Sequence, residues 1–432
     1  MKRFWNHWGN FIILGLIILG VYSPALLTFL AQDDFTHLII SRAGNVGEVI
    51  NFFKFKTEGI YYRPVSVQLI TWLTKGVFGL RPFWFHAAAV LMHFWTTVTV
   101  KKIIDKLTGS KDLSWWGAVF YGVHPVHFMS LFWWAEVSMV MAPLFAFLAI
   151  LAWLNQRYVR FSLWWLLALL SNELALGVIP IVWLLKPAWK RLIPVGLIGL
   201  VIVGGRWLLA SPALGTEYGL KFLPQVALSN LRWQFIRAAG FPEGFAGQWQ
   251  FWQTKLAIGF IAGSALIMLT GVIKSGFKLK WAGLGWWLAA LLPVVFLERH
   301  QSPIYQIIGL PGLVLAISAW LKPNRWQYAG LAMFVAGAFW GVRAMEQYHW
   351  VTSRAREAEY YIKKIQGKKV QDGDTIAFVN RTPESSLRAY IALGAGNGVK
   401  VFFGNETKVY FEDLGMPNLD PQAKTHYVVS DF

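Results

Sequence analysis

The chain of 432 residues contains no cysteine, and few of its residues carry a charge. The lack of cysteine excludes disulfide bonds, thiolate metal sites and a cysteine nucleophile, and it is compatible with any compartment. Charged residues make up 14% of the chain, whereas a soluble globular protein usually carries about 25%. The formal net charge of +18 raises the question of nucleic-acid binding. No recognition motif accompanies that charge, and Lys and Arg flank the apolar runs, so we expect no nucleic-acid partner.

Apolar residues account for 56% of the chain, and they fall into runs of about 20, the length that crosses a bilayer. Many of the 25 Trp residues lie at the ends of these runs, as in an interfacial aromatic belt. The first run has no A-x-A-like cleavage site after it, so we interpret it as a retained membrane helix. The pattern predicts an all-α polytopic membrane protein with about 11 to 13 transmembrane helices. The runs lie near residues 10–30, 64–80, 83–104, 113–123, 127–154, 161–171, 174–185, 192–210, 222–239, 254–273, 282–297, 303–320 and 326–343.

The charges at the chain's start predict its orientation. Lys2 and Arg3 indicate a cytoplasmic N-terminus, so the loop over residues 31–62 is expected outside. If each apolar run crosses the membrane in turn, the basic connection between the runs 83–104 and 113–123 also lies outside. Basic loops tend to stay in the cytoplasm, so this placement is unexpected. Either one span between residues 64 and 104 is miscounted, or the charge bias is overridden. The basic residues of that connection are Lys101, Lys102, Lys106 and Lys111.

The pattern changes near residue 345, which divides the chain into a transmembrane domain, 1–345, and a tail, 346–432. The tail opens with a polar segment of helical period. Short apolar runs then predict strands and one helix, hence a small α/β domain of about 65 residues. Thr382 is a plausible cap for that helix. We expect the domain to be an appendage without catalytic residues. The strands are predicted at 374–380, 399–403, 408–411 and 426–430, and the helix at 383–393.

Two adjacent carboxylates, Asp33 and Asp34, follow the first apolar run. Their mutual repulsion costs stability unless a cation offsets it. One of them could take a proton from an acceptor while the other orients it or binds a divalent cation such as Mg²⁺ or Mn²⁺, and the sequence leaves a metal open. The alternative is a solvated helix start, since Asp is a favoured cap. The loop continues as amphipathic pieces that are typical of segments lying in the membrane interface.

Arg63 closes this loop and suits a phosphate, although it could also be an anchor at the membrane surface. His86 and His93 share a helix face, and we favour buried, hydrogen-bonded roles for them. His124 and His127 flank Pro125 at a helix junction. With Glu136 further on, they could coordinate a phosphate or orient a base.

Acidic residues at other membrane boundaries are further candidates. Glu173 lies between two apolar runs, and Glu298, Arg299 and His300 follow another. An ion pair that only fastens helices together is the alternative for each group.

Taken in order, these segments resemble GT-C-type glycosyltransferases. The set is DDF, YRP, FWFH, HPVH, SNEL and then ER followed by IYQIIGLPG. It is most similar to the membrane part of the transmembrane-and-tetratricopeptide O-mannosyltransferases and their bacterial relatives, over roughly residues 9–350. Three features depart from that family's pattern. Asn172 replaces a lysine, a longer stretch separates Arg299 from Tyr305, and the α/β tail replaces the tetratricopeptide repeats.

The resemblance implies a polyprenyl-phosphate-linked sugar donor and transfer of a hexose, such as mannose, to a protein or glycan acceptor outside the cytoplasm. It implies inversion at the anomeric carbon, with Asp33 or Asp34 as the base and the lipid phosphate as leaving group. The other partners are membrane lipids. By the same resemblance, the residues expected to bind the donor and its phosphate are Arg63, His124, His127, Glu173, Glu298, Arg299 and Tyr305.

Two non-enzymatic functions stay open on the sequence alone. A polytopic transporter or lipid flippase would favour an internal repeat and charges in the middle of spans, whereas we find no repeat and most of the acids lie at the ends of spans. A membrane scaffold would use the tail to bind a partner, and changes in the acidic loop would leave its activity intact.

Overall fold

The computed structural model describes residues 2–55, 62–209, 219–269, 277–318, 325–416 and 424–432. These residues form a helical bundle followed by a small α/β tail, which confirms the predicted fold class. Lys56, Glu58 and Tyr61 of the acidic loop lie outside the described residues. The helices are α1 Lys2–Tyr22, α2 Asp33–Ile40, α3 Val46–Ile50, α4 Ile70–Phe78, α5 Pro82–Thr108, α6 Lys111–Val123, α7 Phe128–Phe132, α8 Ser138–Leu154, α9 Tyr158–Leu169, α10 Val178–Leu185, α11 Trp189–Leu209, α12 Pro224–Ala238, α13 Trp252–Leu269, α14 Phe277–Leu291, α15 Leu310–Ser318, α16 Arg325–Tyr348, α17 Trp350–Gln366, α18 Ser385–Ala392 and α19 Asn397–Phe403.

Four stretches of the described residues are long and apolar enough to cross a bilayer, which supports a location in a membrane. They are Gly9–Leu27, Pro82–Thr108, Trp134–Leu154 and Trp326–Tyr348. Shorter apolar helices lie at Tyr158–Leu169, Glu173–Leu185 and Trp252–Met268. The number of crossings stays a prediction.

Two apolar runs that the sequence predicts as single helices are interrupted. The run 127–154 divides at Trp133, which is extended, into α7, a short 3-10 helix and α8. The run 282–297 ends as a helix at Leu291, two residues before Pro293, because proline disfavours a helical residue before it and cannot donate to the helical ladder.

The segment 64–78 does not cross the bundle. We call the end of the bundle at which α1 ends the Tyr22 face. His86, in the first turns of α5, bonds the Leu131 carbonyl at 2.9 Å and contacts the Thr28 main chain. Further along α5, Phe94 packs beside Gly15 of α1. Helix α5 therefore runs antiparallel to α1 and begins at the Tyr22 face.

Segment 64–78 begins as a π-helix, Pro64–Leu69, continues as α4 and ends three residues before α5. It packs on the acidic loop, since Trp72 donates to the Ala43 carbonyl at 3.0 Å and Ser41 donates to the Val67 carbonyl at 3.1 Å. Both of its ends thus lie at the Tyr22 face. The predicted span 64–80 was the miscounted one, and the basic connection after α5 lies at the same face as the N-terminus, as the positive-inside tendency expects.

Helix α16 returns the chain to the Tyr22 face. Near its start, Tyr328 bonds Asp112 at the beginning of α6. Near its end, Arg343 donates to the Gly20 carbonyl and to Ser23. Helix α17 follows after one residue, His349, whose side chain caps it by accepting from the Val351 amide. The tail therefore lies on the same face as the acidic loop.

The tail is a parallel three-stranded sheet with helices, in the strand order β2-β1-β3. The strands are β1 Thr375–Asn380, β2 Lys408–Phe411 and β3 Thr425–Ser430. Ile376, Phe378 and Val428 are fully buried, and they hold the sheet against α17 and α18 through contacts such as Tyr361 with Phe378.

Two predictions for the tail were wrong. Residues 399–403 form helix α19, whose cap Gly396 adopts a left-handed backbone (φ +85°) that a strand would not use. The valines and phenylalanines of this run favoured a strand, but tertiary packing overrides that preference. Thr382 does not cap α18. The side chain of Asn380 instead accepts from the Ser386 amide at 2.7 Å, so a residue at the end of β1 caps a free amide in the first turn of α18.

Candidate active site

The acidic helix α2 begins directly after a strained residue. Gln32 has φ +54° and ψ −117°, a backbone conformation that residues other than glycine rarely adopt. Two contacts from the tail hold it there. Its amide donates to the Ala392 carbonyl at 2.8 Å, and its side-chain oxygen accepts from Arg354 at 2.6 Å. The direction in which α2 leaves the bundle is thus defined by residues more than 300 positions away.

Asp34 is buried and fully engaged with the main chain. One carboxylate oxygen accepts from the Ala31 amide at 2.8 Å and the other from the Ala135 amide at 2.6 Å. Its side chain is 1% exposed, and burial raises its pKa well above the usual range. Trp133 adds a bond from its indole to the Ala31 carbonyl at 3.3 Å. Asp34 therefore joins the start of α2 to the broken segment between α7 and α8.

Asp33 differs from its neighbour. It is exposed, and it accepts no hydrogen bond from the residues that the structure describes. Partial burial raises its pKa, while the positive charge of Arg354 opposes that rise. A carboxylate that is held on a rigid helix start but is free of main-chain partners can take a proton from a bound group. Of the two acids in the predicted pair, only Asp33 is placed to do so.

Three more charged residues are linked to this position through Glu136. Arg63 forms a two-pronged ion pair with Glu173, at 3.0 Å from Nε and 2.7 Å from Nη2, and Nη1 lies 3.3 Å from the Ser138 hydroxyl. Glu136, in the 3-10 helix that precedes α8, interacts electrostatically with Arg63, Asp33 and Glu173. Its Oε2 atom is buried with no hydrogen-bond partner among the described residues. Carboxylates thus converge here around one guanidinium.

The segments that carry these residues are tied to one another. Asn172 is buried, donates to Ser138 at 3.2 Å and accepts from the Leu174 amide, so it caps the short helix that carries Glu173. Ser66, one turn after Arg63, donates to the Ser171 carbonyl at 2.6 Å. The predicted motif segments around Arg63 and Glu173, 107 residues apart at their nearest, are therefore neighbours in space.

The four candidate histidines contact main-chain carbonyls. His86 bonds Leu131, His93 bonds Gly122, His124 bonds Ala238 and His127 bonds Tyr121, at 2.8 to 3.1 Å. This arrangement agrees with the buried roles expected for His86 and His93.

Tyr305 belongs to a 3-10 helix, Pro303–Gln306, that packs against the one formed by Pro125–His127, and it is buried there. Glu298 and Arg299 are exposed, and Glu298 pairs with Lys221 at 2.6 Å. The Glu298 amide also donates to the Gly219 carbonyl at 3.4 Å, so Glu298 is tied to the segment just before α12. The described contacts bring together Asp33, Asp34, Arg63 and Glu173, and they assemble His124, His127 and Tyr305 separately.

Three residues of the acidic site were not among the candidates from the sequence. Gln32 and Arg354 become recognisable only through the fold. His37, one turn after Asp33, could have been suspected as part of the acidic loop. Burial, assisted by the nearby positive charge of Arg63, lowers the pKa of His37 to about 4, so its ring is neutral at physiological pH. Within the described ranges, no three His, Asp or Glu side chains are arranged to hold a metal ion.

Comparison with family models and with curated proteins finds no match. Among solved structures, the chain is similar to ArnT from Cupriavidus metallidurans bound to undecaprenyl phosphate, with 14% identity and a TM-score of 0.49 over 93% of this chain and 88% of that one. It is also similar to the apo state of the same protein, with 14% identity and a TM-score of 0.48 over 93% and 89% of the two chains.

Proposed function

We propose that this protein is a membrane glycosyltransferase that moves a sugar from a polyprenyl-phosphate donor to an acceptor outside the cytoplasm. One observation carries the proposal. Asp33 stands exposed on a fixed helix start at the Tyr22 face, while both oxygens of its neighbour Asp34 are occupied by main-chain amides. A lipid-linked donor presents its phosphate and sugar at the membrane interface, which is where such a carboxylate would meet it.

In the proposed reaction, Asp33 removes the proton from an acceptor hydroxyl or amide as that group attacks the anomeric carbon. The new glycosidic bond forms while the bond between that carbon and the lipid phosphate oxygen breaks. The phosphate leaves with the electron pair, and the configuration inverts. Phosphate leaving groups need charge stabilisation more than a strong acid. Asp34 does not exchange protons in this scheme and keeps α2 in place.

The resemblance implies Arg63 and Arg299 for the donor phosphate, and of these two the described contacts bring only Arg63 to the acidic site. Arg299 is exposed. Arg63 is held by Glu173, so in this proposal its guanidinium is oriented before the donor arrives. The order of motifs along the sequence supports the same reaction class. A divalent cation bound by Asp33 stays a proposal that metal titration would test. The sugar is a hexose such as mannose, and the acceptor is a protein or glycan.

The experiment uses the purified full-length protein with radiolabelled polyprenyl-phosphate sugars, scored for product, while donor binding is measured separately. Asp33→Asn keeps the size of the side chain and removes its charge, and we expect turnover to fall by roughly 10²–10⁴-fold, the usual contribution of a general base. Donor binding should survive. A variant with near-normal turnover would refute the role of Asp33. A wild-type protein that moves lipid across vesicles without forming product would favour the transporter.

A further inference from the structure

The C-terminal tail grips the acidic helix through closely fitted contacts. Gly394 has a left-handed backbone (φ +57°), and a Cβ atom on it would lie 2.3 Å from the Gln32 carbonyl oxygen. A Cβ on Gly398 would meet the Phe35 ring at 2.8 Å. Both positions exclude any side chain because the two segments approach so closely. This fit is specific to the acidic helix, since Phe35 belongs to α2 and Gln32 immediately precedes it.

Polar and aromatic contacts extend the same interface. Asn397 donates to the Thr36 hydroxyl at 3.1 Å, and the Phe402 ring packs against Phe29 and Phe35. Helix α17 adds the contact between Trp350 and Trp133, with ring centroids 4.9 Å apart. The bundle and the tail therefore enclose the start of α2 from two sides.

Arg354 is the residue of α17 that contacts Gln32 and acts on Asp33. It donates to the Gln32 side chain at 2.6 Å, its guanidinium lies over the Trp350 ring at 4.7 Å, and its charge acts on Asp33. The other charged groups that act on Asp33 or on one of its charged neighbours are Asp34 of α2, Glu136 and Arg63 before α8 and the π-helix, Glu173 beside them, and Glu357, which acts on Arg354 from α17 itself. Arg354 is the cation that the tail side contributes to this set.

We propose that the tail is a required part of the active site, and that Arg354 is a positioning residue that holds Gln32 in its strained conformation and so aims Asp33 at the acceptor. This proposal rests on the transferase function proposed above. It replaces the expectation that the tail is an appendage. The tail supplies the Ala392 carbonyl and the fitted glycines, and α17 supplies Arg354. Misplacement of a catalytic group by about 1 Å can cost on the order of 10² in rate.

Arg354→Gln tests the positioning role in the full-length protein, with Arg356→Gln as the matched control. Arg356 is on the same helix but donates to the main-chain carbonyls of Glu346 and Gln347 at the end of α16. We expect Arg354→Gln to lower turnover roughly tenfold to a hundredfold and Arg356→Gln to leave it near normal. The base must be ionised to act. Loss of the positive charge raises the pKa of Asp33, so the acidic limb of the kcat/KM profile should move to higher pH. Arg354→Lys should restore that limb.

The interface itself is tested by a pair of glycine substitutions and a measurement that needs no activity. Gly394→Ala places its methyl group on Gln32, whereas a Cβ on Gly373 (φ +92°), in the same domain, meets no atom within 4 Å. We expect hydrogen exchange in residues 29–40 to accelerate in Gly394→Ala and to be unchanged in Gly373→Ala. Turnover should fall only in the former.

The outcomes separate the two proposals. If Asp33→Asn is inactive while Arg354→Gln and Gly394→Ala keep full turnover and an unmoved pH profile, the transferase stands and the positioning role is overturned. If Arg354→Gln is slow but its pH limb is unmoved and Lys gives no rescue, the residue is merely structural and the proposal fails. If the wild type forms no product from any polyprenyl-phosphate sugar, the proposed function fails and the positioning role falls with it, although the exchange data still report on docking.

Discussion

The two neighbouring acids should respond in opposite ways to the same substitution. Asp34 satisfies two buried amides, those of Ala31 and Ala135. In Asp34→Asn, one side-chain oxygen remains and the other is replaced by an NH₂ group, so one buried amide loses its acceptor. An unsatisfied buried donor costs about 1–3 kcal/mol. Burial raises the pKa of Asp34, which means that its charge is itself costly in the fold. Loss of that charge returns part of the cost, and we therefore expect a decrease of about 1–2 kcal/mol in the free energy of unfolding.

Asp33→Asn should leave stability within about 0.5 kcal/mol, as is usual for an exposed position, while turnover falls by roughly 10²–10⁴-fold. The assay pairs thermal unfolding in detergent with product formation, and Asp33→Asn/Asp34→Asn completes the cycle. The reasoning is refuted if Asp34→Asn is as stable as the wild type but inactive, or if Asp33→Asn unfolds early and still transfers sugar at the normal rate per folded molecule. Either result would exchange the roles of the two acids.

Three further predictions concern topology, the ion pair and the donor. A cysteine at Val46, which is 75% exposed, should react with an impermeant thiol reagent in intact cells. A cysteine at Lys111 should react only after lysis. The reverse pattern would show that the orientation of the protein in the membrane is opposite to the predicted one. Glu173→Gln should lower the free energy of unfolding by about 1–3 kcal/mol because it replaces the charged partner of the part-buried Arg63 by a neutral amide. Removal of both charges should recover part of that loss in thermal unfolding, and equal instability of the double variant would argue against coupling. Arg299→Gln should raise the KM for the donor roughly tenfold, which corresponds to a loss of about 1.4 kcal/mol in binding free energy, and should leave kcat unchanged. An unchanged KM would show that Arg299 does not bind the donor phosphate.

Run lengths and local chemistry predicted much of the bundle. Apolar runs of about 20 residues depend only on local composition, so the helices and the α/β character of the tail could be recognised without tertiary information. The same approach could not show that residues 64–78 return to the face they came from. That outcome depends on Trp72 and Ser41 contacting partners in the acidic loop and on the pairing of α5 with α1. The unbalanced charges of the following connection were the only trace of it in the sequence.

The acidic pair was identifiable, but its division of labour was not. Asp33 and Asp34 are chemically identical, and they differ because the Ala135 amide, 101 positions away, reaches only one of them. Likewise, Arg63 and Glu173 were separate candidates until the fold paired them. A sequence can mark residues with suitable chemistry, whereas the partner of each side chain is a property of long-range packing.

The place of the tail follows from the direction of one helix. Tyr328 lies beside Asp112 at the start of α6, and Arg343 lies beside Ser23 just after α1, so α16 must deliver the chain to the Tyr22 face. If residues 64–78 had crossed the bundle as the sequence predicted, with every later turn unchanged, the same domain would lie at the opposite end from Asp33. The π-helix and α4 keep to one face, and this return is one of the steps that bring α17 to the end of the bundle where Arg354 and Ala392 contact Gln32.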